Sequence, residues 1–220
     1  MPRLGVGGIS PFSWLMGALI AEAYAEAISR CSRGKILDLG CGTAPLYPLY
    51  KFAAEEIILA DWPHSLHPSP CLDCYLDLSS GLPFRDQTFD LIILSDVLEH
   101  LASPEHALAE VCRVAVPGAR VLLNVPFLYG IHEAPHDYYR YTEFGLRHLA
   151  LQSGLTVETV RPLGGGREVL TDTIAKLLQD IPGMKWPLFW LQRLIFLVRR
   201  RSDVQAQAFP LGYFVELTRQ

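Results

Sequence analysis

No apolar run in this 220-residue chain is long enough to cross a bilayer, which takes about 20 consecutive apolar residues. The run from Trp186 to Val198 falls short of that. Cysteine is scarce: Cys31, Cys41, Cys71, Cys74 and Cys112 make an odd, irregularly spaced set. This is not the even framework of a small disulfide-stapled secreted domain, and reduced thiols are expected. Cys71 and Cys74 form a single C-x-x-C with no second pair at ligand spacing, so zinc is not expected there. A strong charge of one sign is also missing. The formal net charge of −4 gives no drive towards nucleic acid, and no nucleic acid partner is expected. Internal repeats and low-complexity tracts are absent, as is the G-x-x-x-x-G-K-[ST] cradle of nucleoside triphosphates.

What remains is a chain that is 50% hydrophobic and 19% charged, which suits one globular domain over 1–220. Residues 1–33 form an N-terminal helical segment of it. WLMGALIA followed by EAYA resembles a short signal core. However, Phe12, Leu15, Met16, Leu19, Ile20, Ala23, Ala27 and Ile28 share one helical face. Ser10 and Pro11 supply a cap and a first-turn proline, and Glu26 and Arg30 an i,i+4 pair. An amphipathic helix is expected.

Strand-like and helix-like stretches then alternate. KILDL, EIILAD, CYLDL, FDLIILS and ARVLLNV read as five strands, with PLYPLYKFA and SPEHALAEVCRVA as helices between them. TEFGLRHLALQSG is a helix capped by Thr142 and stopped by Gly154. LTVETV and LGYFVEL close the set, separated by a helical insert over 165–208. This alternation predicts an α/β fold with a doubly wound, parallel sheet, whose ligands bind beyond the carboxyl ends of the strands. Asp38, Asp61, Asp77 and the Ser95-Asp96 pair all lie at such ends.

The stretch KILDLGCGTAP sets the ligand question, because bare backbone follows a buried strand at once. A dinucleotide fingerprint needs a third glycine where this chain has Pro45. S-adenosylmethionine needs backbone near its amino acid end, an acid near its ammonium, and an acid for both ribose hydroxyls. It also needs a polar group at the adenine amine. DLGCGTA, AD, LDL and SD offer these in chain order.

KILDLGCGTA, IILAD, LDLSSGLPFRDQTFDLIILSDVLEHL, ALAEVCRVAVPGARVLLNVPF and YYRYTEFGLRHLALQSGL together resemble class I S-adenosylmethionine-dependent methyltransferases. The resemblance is to the type 11 group, which includes ubiquinone and menaquinone biosynthesis methyltransferases. It implies a Rossmann-like, seven-stranded, mostly parallel sheet with an antiparallel last strand and helices on both faces. It also implies S-adenosylmethionine as cofactor, with Asp38, Gly40, Cys41 and Gly42 around its methionine portion. Asp61 would hold the ribose, with Trp62, Asp77 and Leu78 at the adenine and Ser95 and Asp96 near the sulfonium. Two departures are Ala44 for the third glycine of DxGxGxG, and PGA for PGG. NVPF at 124–127 follows the fifth strand, not the fourth, and lacks the first proline of the NPPF-type motif of amino-methylating enzymes.

FLYGIHEAPHDYYRYT, after the fifth strand, is dense in titratable groups. His132 or His136 can serve as a base near neutral pH, oriented by Glu133 or Asp137. The alternative is that these side chains tie a lid loop to the sheet. The HExxxH spacing is not that of a helical metal pair, and Pro135 interrupts it, so no metal is expected. The acceptor implied is small and lipid-like, quinone-like or a glycan intermediate, methylated on oxygen or carbon. A non-catalytic cofactor-binding protein and a protein or RNA methyltransferase are the alternatives. Residues 186–201, apolar and ending in three arginines, suit a peripheral membrane contact. The expected location is cytoplasmic or peripheral at a membrane.

Overall fold

FDLIILS and RVLLNV are apolar on both faces, so strands of this kind need cover on both sides. A computed structural model describes residues 10–31, 34–52, 54–67, 69, 71–199 and 204–220. The strands are β1 (Gly34–Leu39), β2 (Ala54–Asp61), β3 (Cys74–Tyr75), β4 (Phe89–Ser95), β5 (Ala115–Pro126), β6 (Leu155–Leu163) and β7 (Gly212–Arg219). The helices are α1 (Trp14–Ile28), α2 (Tyr47–Tyr50), α3 (Pro104–Val114), α4 (Glu143–Gln152), α5 (Gly166–Leu177), α6 (Lys185–Val198) and α7 (Val204–Ala208). On one face Leu37, Leu39, Ile92, Leu94, Val121 and Leu123 pack against Ala107, Leu108 and Val111 of α3 and Leu146 and Ala150 of α4. On the other, Ile36, Leu91, Ile93, Leu122 and Phe214 pack against α1 and Tyr50.

The seven strands form one sheet in the order β3-β2-β1-β4-β5-β7-β6. The first five are parallel, and β7 runs antiparallel to both β5 and β6. The strand order reverses between β1 and β4, which places the ligand crevice beyond Leu39, Asp61 and Ser95.

Several local expectations change. PLYPLYKFA yields only the four residues of α2, and Phe52 just beyond it is 77% exposed. CYLDL yields only Cys74–Tyr75, because Asp77 turns the chain by accepting from the amide and hydroxyl of Ser79 at 2.8 and 2.7 Å. The start of the chain's first helix is a 3-10 turn, Pro11–Ser13, before α1. Ser103 stands at the N-cap of α3 without a side-chain cap, whereas Thr142 does cap α4, accepting from the Gly145 amide at 3.1 Å. Gly154 ends that helix at φ +79°. All five cysteines are free thiols.

The insert folds as α5, α6 and α7. Gln192, fully buried on α6, staples it to the start of the chain's first helix. Its amide oxygen accepts from Leu15 N–H at 2.9 Å and its amide nitrogen donates to Pro11 at 2.8 Å. One of the orphan amides of the first turn of α1 is thereby satisfied from a distant segment. Trp186, Trp190, Leu194, Leu197 and Val198 of α6 stay more than half exposed. Of the expected arginines, Arg199 is instead tied to Glu22 and lies over the Phe196 ring, and Arg200 and Arg201 lie outside the described residues. Among the described residues no helix is long and apolar enough to cross a membrane.

Candidate functional site

β1 ends in Leu39, and the chain must turn at once to enter α2. Gly40 and Gly42 make that turn at φ +69° and +51°. A side chain at Gly40 would sit 2.5 Å from Val97 Cγ2, so only glycine fits there. Ala44 also has positive φ, at 54°, which marks the position where the resemblance expects glycine. The loop is held to β2 by Gly40 and Cys41 N–H, both donating to the Ala60 carbonyl, at 2.8 and 3.1 Å. Burial pushes the Cys41 thiol up to about 12, so it stays protonated and unreactive.

This loop opens onto a cavity of about 1000 Å³. Asp38, Gly40, Cys41, Gly42, Asp61, Trp62, Asp77, Leu78, Ser95, Asp96, His132 and His136 all line it. Of the residues singled out from sequence, only Asp137 does not reach it. Ser13 just before α1, Met16 and Ile20 on it, which the sequence marked only as part of an apolar helical face, and Tyr129 and Tyr138 form further walls.

The acids differ in setting. Asp38 is buried on β1, hydrogen-bonded by the Tyr50 hydroxyl, and burial raises its carboxyl to about 7. Asp61 is 7% exposed; its Oδ1 accepts from the Trp62 amide at 2.8 Å, and its Oδ2 has no hydrogen-bond partner. Trp62 stands at the rim with its ring edge-on to His64 and His136, at 5.0 and 5.2 Å. Asp77 is exposed, and its turn with Ser79 holds its carboxyl below the usual range. Asp96, at φ +52°, accepts from Asn124 Nδ2 at 2.7 Å. Enclosure, and next to it the neighbouring Glu99, raise its carboxyl to about 7. Asn124 belongs to NVPF, and register explains its place, since it pairs with Ser95 across β4 and β5.

The segment after β5 separates its two histidines. His132 lies inward, ring to ring with His100 at 4.8 Å and with Tyr129 at 5.3 Å. His136 lies at the rim, its Nδ1 3.1 Å from the Tyr138 hydroxyl. Glu133 does not orient either histidine of its own segment. It pairs with His67 at 3.1 Å and so joins this segment to the loop after β2. Asp137 sits behind His132, accepting from its amide at 3.0 Å, and lies 3.5 Å from its Nδ1. A hydrogen bond from Arg140 holds the Asp137 carboxyl down to about 2. The segment thus lines the cavity from His132 to Tyr138, with His132 turned inward and His136 at the rim.

Residues 37–123 match the family described as a methyltransferase domain. Demethylmenaquinone methyltransferase of Streptomyces griseus is 31% identical over 113 residues, which cover 46% of this chain and 46% of that protein. Malonyl-[acyl-carrier protein] O-methyltransferase of Erwinia billingiae is 29% identical over 124 residues, 52% of this chain and 48% of that protein. The chain thus spans about half the length of the curated relatives it matches. Among solved structures, the [4+2]-cyclase SpnF superposes with a TM-score of 0.64 at 16% identity, over 97% of this chain and 84% of that one. Phosphoethanolamine N-methyltransferase 2 of Haemonchus contortus, in complex with S-adenosyl-L-methionine, superposes with a TM-score of 0.59 at 14% identity, over 95% of this chain and 56% of that one. These structural likenesses are likenesses of fold. Residues 37–123 thus match a methyltransferase domain, and they contain the glycine turn, the strand-end acids and the centre of the 3-2-1-4-5-7-6 sheet.

Proposed function

We propose that the chain binds S-adenosylmethionine and transfers its methyl group to oxygen or carbon of a small acceptor. The observation that carries this is Asp61 Oδ2, buried and unpartnered at the end of β2 beside the glycine turn. A buried carboxylate oxygen without a donor is costly, and paired ribose hydroxyls would satisfy it. Asp38, Gly40, Cys41 and Gly42 then face the methionine portion, Trp62, Asp77 and Leu78 the adenine, and Ser95 and Asp96 the sulfonium end. Pro45, standing where a dinucleotide fingerprint needs its third glycine, argues against NAD.

When bound, the cofactor supplies a methyl carbon already activated by its sulfonium. The chain's own task is to bring the acceptor into line and, for a hydroxyl, to take its proton. His132 Nδ1 has two acceptors beside it, the Gly130 carbonyl at 3.3 Å and the Asp137 carboxylate at 3.5 Å, against one donor, Arg140 Nη2 at 3.5 Å. The balance favours the proton on Nδ1 and leaves Nε2 to accept one. Asp137 is thus a positioning residue, and Arg140 keeps it anionic. The cavity is at the upper end of the usual range for ligand sites, roughly 300–1000 Å³, which leaves room for an acceptor beside the cofactor. Its Tyr129, Tyr138, Met16 and Ile20 walls suit a flat or greasy acceptor, quinone-like or lipid-like, in line with the quinone-pathway name of a relative.

The exposed face of α6 extends this reading. α6 packs on the start of the chain's first helix, whose residues line the cavity, so its Trp186, Trp190 and Leu194 offer an amphiphilic acceptor a peripheral membrane contact. Co-sedimentation with anionic vesicles tests this part; no binding removes it. Calorimetric titration tests the main reading. S-adenosylmethionine and its demethylated product should bind, and tighter binding of NAD than of either would overturn the proposal.

A further inference from the structure

Glu99 lies on the 3-10 turn Leu98–His100 after β4 and is fully buried, and neither of its carboxylate oxygens has a hydrogen-bond partner. Two imidazoles face it. His132 Nε2 is 3.7 Å and His100 Nε2 3.8 Å from Glu99 Oε1. The far side of each ring fixes its tautomer. His100 Nδ1 donates to the His136 carbonyl at 2.8 Å, and His132 Nδ1 lies between the Gly130 carbonyl and the Asp137 carboxylate. Both Nε2 atoms therefore present lone pairs to Glu99, which in its ionised form has only lone pairs to offer.

A proton does not resolve this convergence well. The gaps of 3.7 and 3.8 Å exceed a hydrogen bond, which ends near 3.2 Å. They match the separation of two ligands on one ion at about 2.0–2.2 Å from each, which at tetrahedral to trigonal angles is roughly 3.3–3.8 Å. One ligand atom from each of the three residues lies within 4.8 Å of the other two, a span that must close by up to about an ångström for all three to share one ion at these bond lengths. Two histidines and a carboxylate, each imidazole held from behind by a carbonyl or carboxylate, are the donor set and supporting shell of a transition-metal site.

We propose that Glu99, His100 and His132 hold a divalent transition-metal cation of the Zn²⁺ or Co²⁺ type at the floor of the cavity. His100 and His132 line that cavity, so the cation's open positions face the space assigned above to the acceptor. The bound species would be an acceptor oxygen, whose proton the cation makes acidic enough to pass to water in the open cavity. In the metal-free protein His132 Nε2 takes that proton; the cation replaces the proton at the same atom, and acid releases it. The HExxxH spacing pointed away from a metal because it pairs His132 with His136, whereas the folded chain pairs it with His100. The acceptor role rests on the methyltransferase reading; the cation site itself does not.

The test is metal content. The full chain, stripped with a chelator and dialysed against Co²⁺ or Zn²⁺, should retain one ion per chain by mass spectrometry. The Co²⁺ form should show visible ligand-field bands. Glu99→Gln and His132→Ala should each weaken retention at least 100-fold, and His100→Asn likewise. Exchange of the exposed His106 for Ala should leave it unchanged. Binding of S-adenosylmethionine is titrated on the same samples, so a wild type that binds the cofactor but no metal counts against this site alone and leaves the methyltransferase reading standing. No stoichiometric ion in the folded wild type, or equal retention by all three variants, would overturn the proposal and leave a water between these groups.

Discussion

Replacing Asp61 separates a ligand-binding carboxylate from a structural one. Its Oδ1 already accepts from the Trp62 amide, so only Oδ2 is free for a ligand. Hydrogen bonds to a charged acceptor contribute about 1.5–3 kcal/mol each, more than neutral ones. Asp61→Ala should then cost roughly 3 kcal/mol of cofactor binding, about 100-fold in Kd, once water at the vacated site offsets part of the loss. Asp61→Asn keeps the acceptor for Trp62 N–H but turns the other position into a donor; its expected loss is about 10-fold. The stability of the ligand-free protein should move the other way. Asn removes a buried charge of which one oxygen has no partner, so its unfolding midpoint should equal or exceed that of the wild type. Calorimetry gives the affinities and thermal unfolding the midpoints. An Asn variant that binds the cofactor within threefold of wild type but melts earlier would make Asp61 a structural residue, and the reasoning fails.

Ala44 sits at φ +54°, a conformation that costs an L-residue roughly 1–2 kcal/mol, so Ala44→Gly should stabilise the protein by about 0.5–1 kcal/mol in urea unfolding. Gly40→Ala is the opposite case: its Cβ would lie 2.5 Å from Val97 Cγ2 at φ +69°, and it should lose at least about 2 kcal/mol and most cofactor affinity. Burial pushes Asp38 and Glu99 up to about 7, so between pH 4 and pH 7 the folded chain holds protons that the unfolded chain has released. Stability should therefore fall as pH rises across that window. Asp137 and Glu110, held near 2 by Arg140 and Arg113, act the other way: their contribution is present above about pH 4 and is lost as pH drops towards 2. Denaturation series should show a maximum near pH 4, where the two windows meet; a steady rise from pH 5 to pH 8 would contradict this balance.

The sheet was readable because its central strands are buried on both faces. FDLIILS is nearly continuous in apolar residues, and it became β4, with Leu91 and Ile93 on one side and Ile92 and Leu94 on the other. The acids at strand ends were readable for the same reason, since a parallel sheet leaves them at one edge. What chain order conceals is which loops meet. Glu99 and His132 are brought together only because β4 and β5 are neighbours, and Asn124 reaches Asp96 through the same pairing. The choice between Glu133 and Asp137 as the group behind His132 turned on a contact to His67, from a loop three strands earlier in the sequence. Gln192 capping α1 is a bond over 177 residues and leaves no local pattern. The short α2 and β3 were overread because Asp77 and Ser79 form a turn, and because spacing alone does not give length.

Incubating the protein with S-adenosylmethionine labelled on its methyl group and a cell extract, then separating lipid, small-molecule, RNA and protein fractions, tests the central claim most directly. Label should appear in the lipid or small-molecule fraction, and Asp61→Ala should remove it at cofactor concentrations near the wild-type Kd. Label confined to RNA or protein, or none in any fraction from a protein that still binds the cofactor, would contradict methyl transfer to a small acceptor.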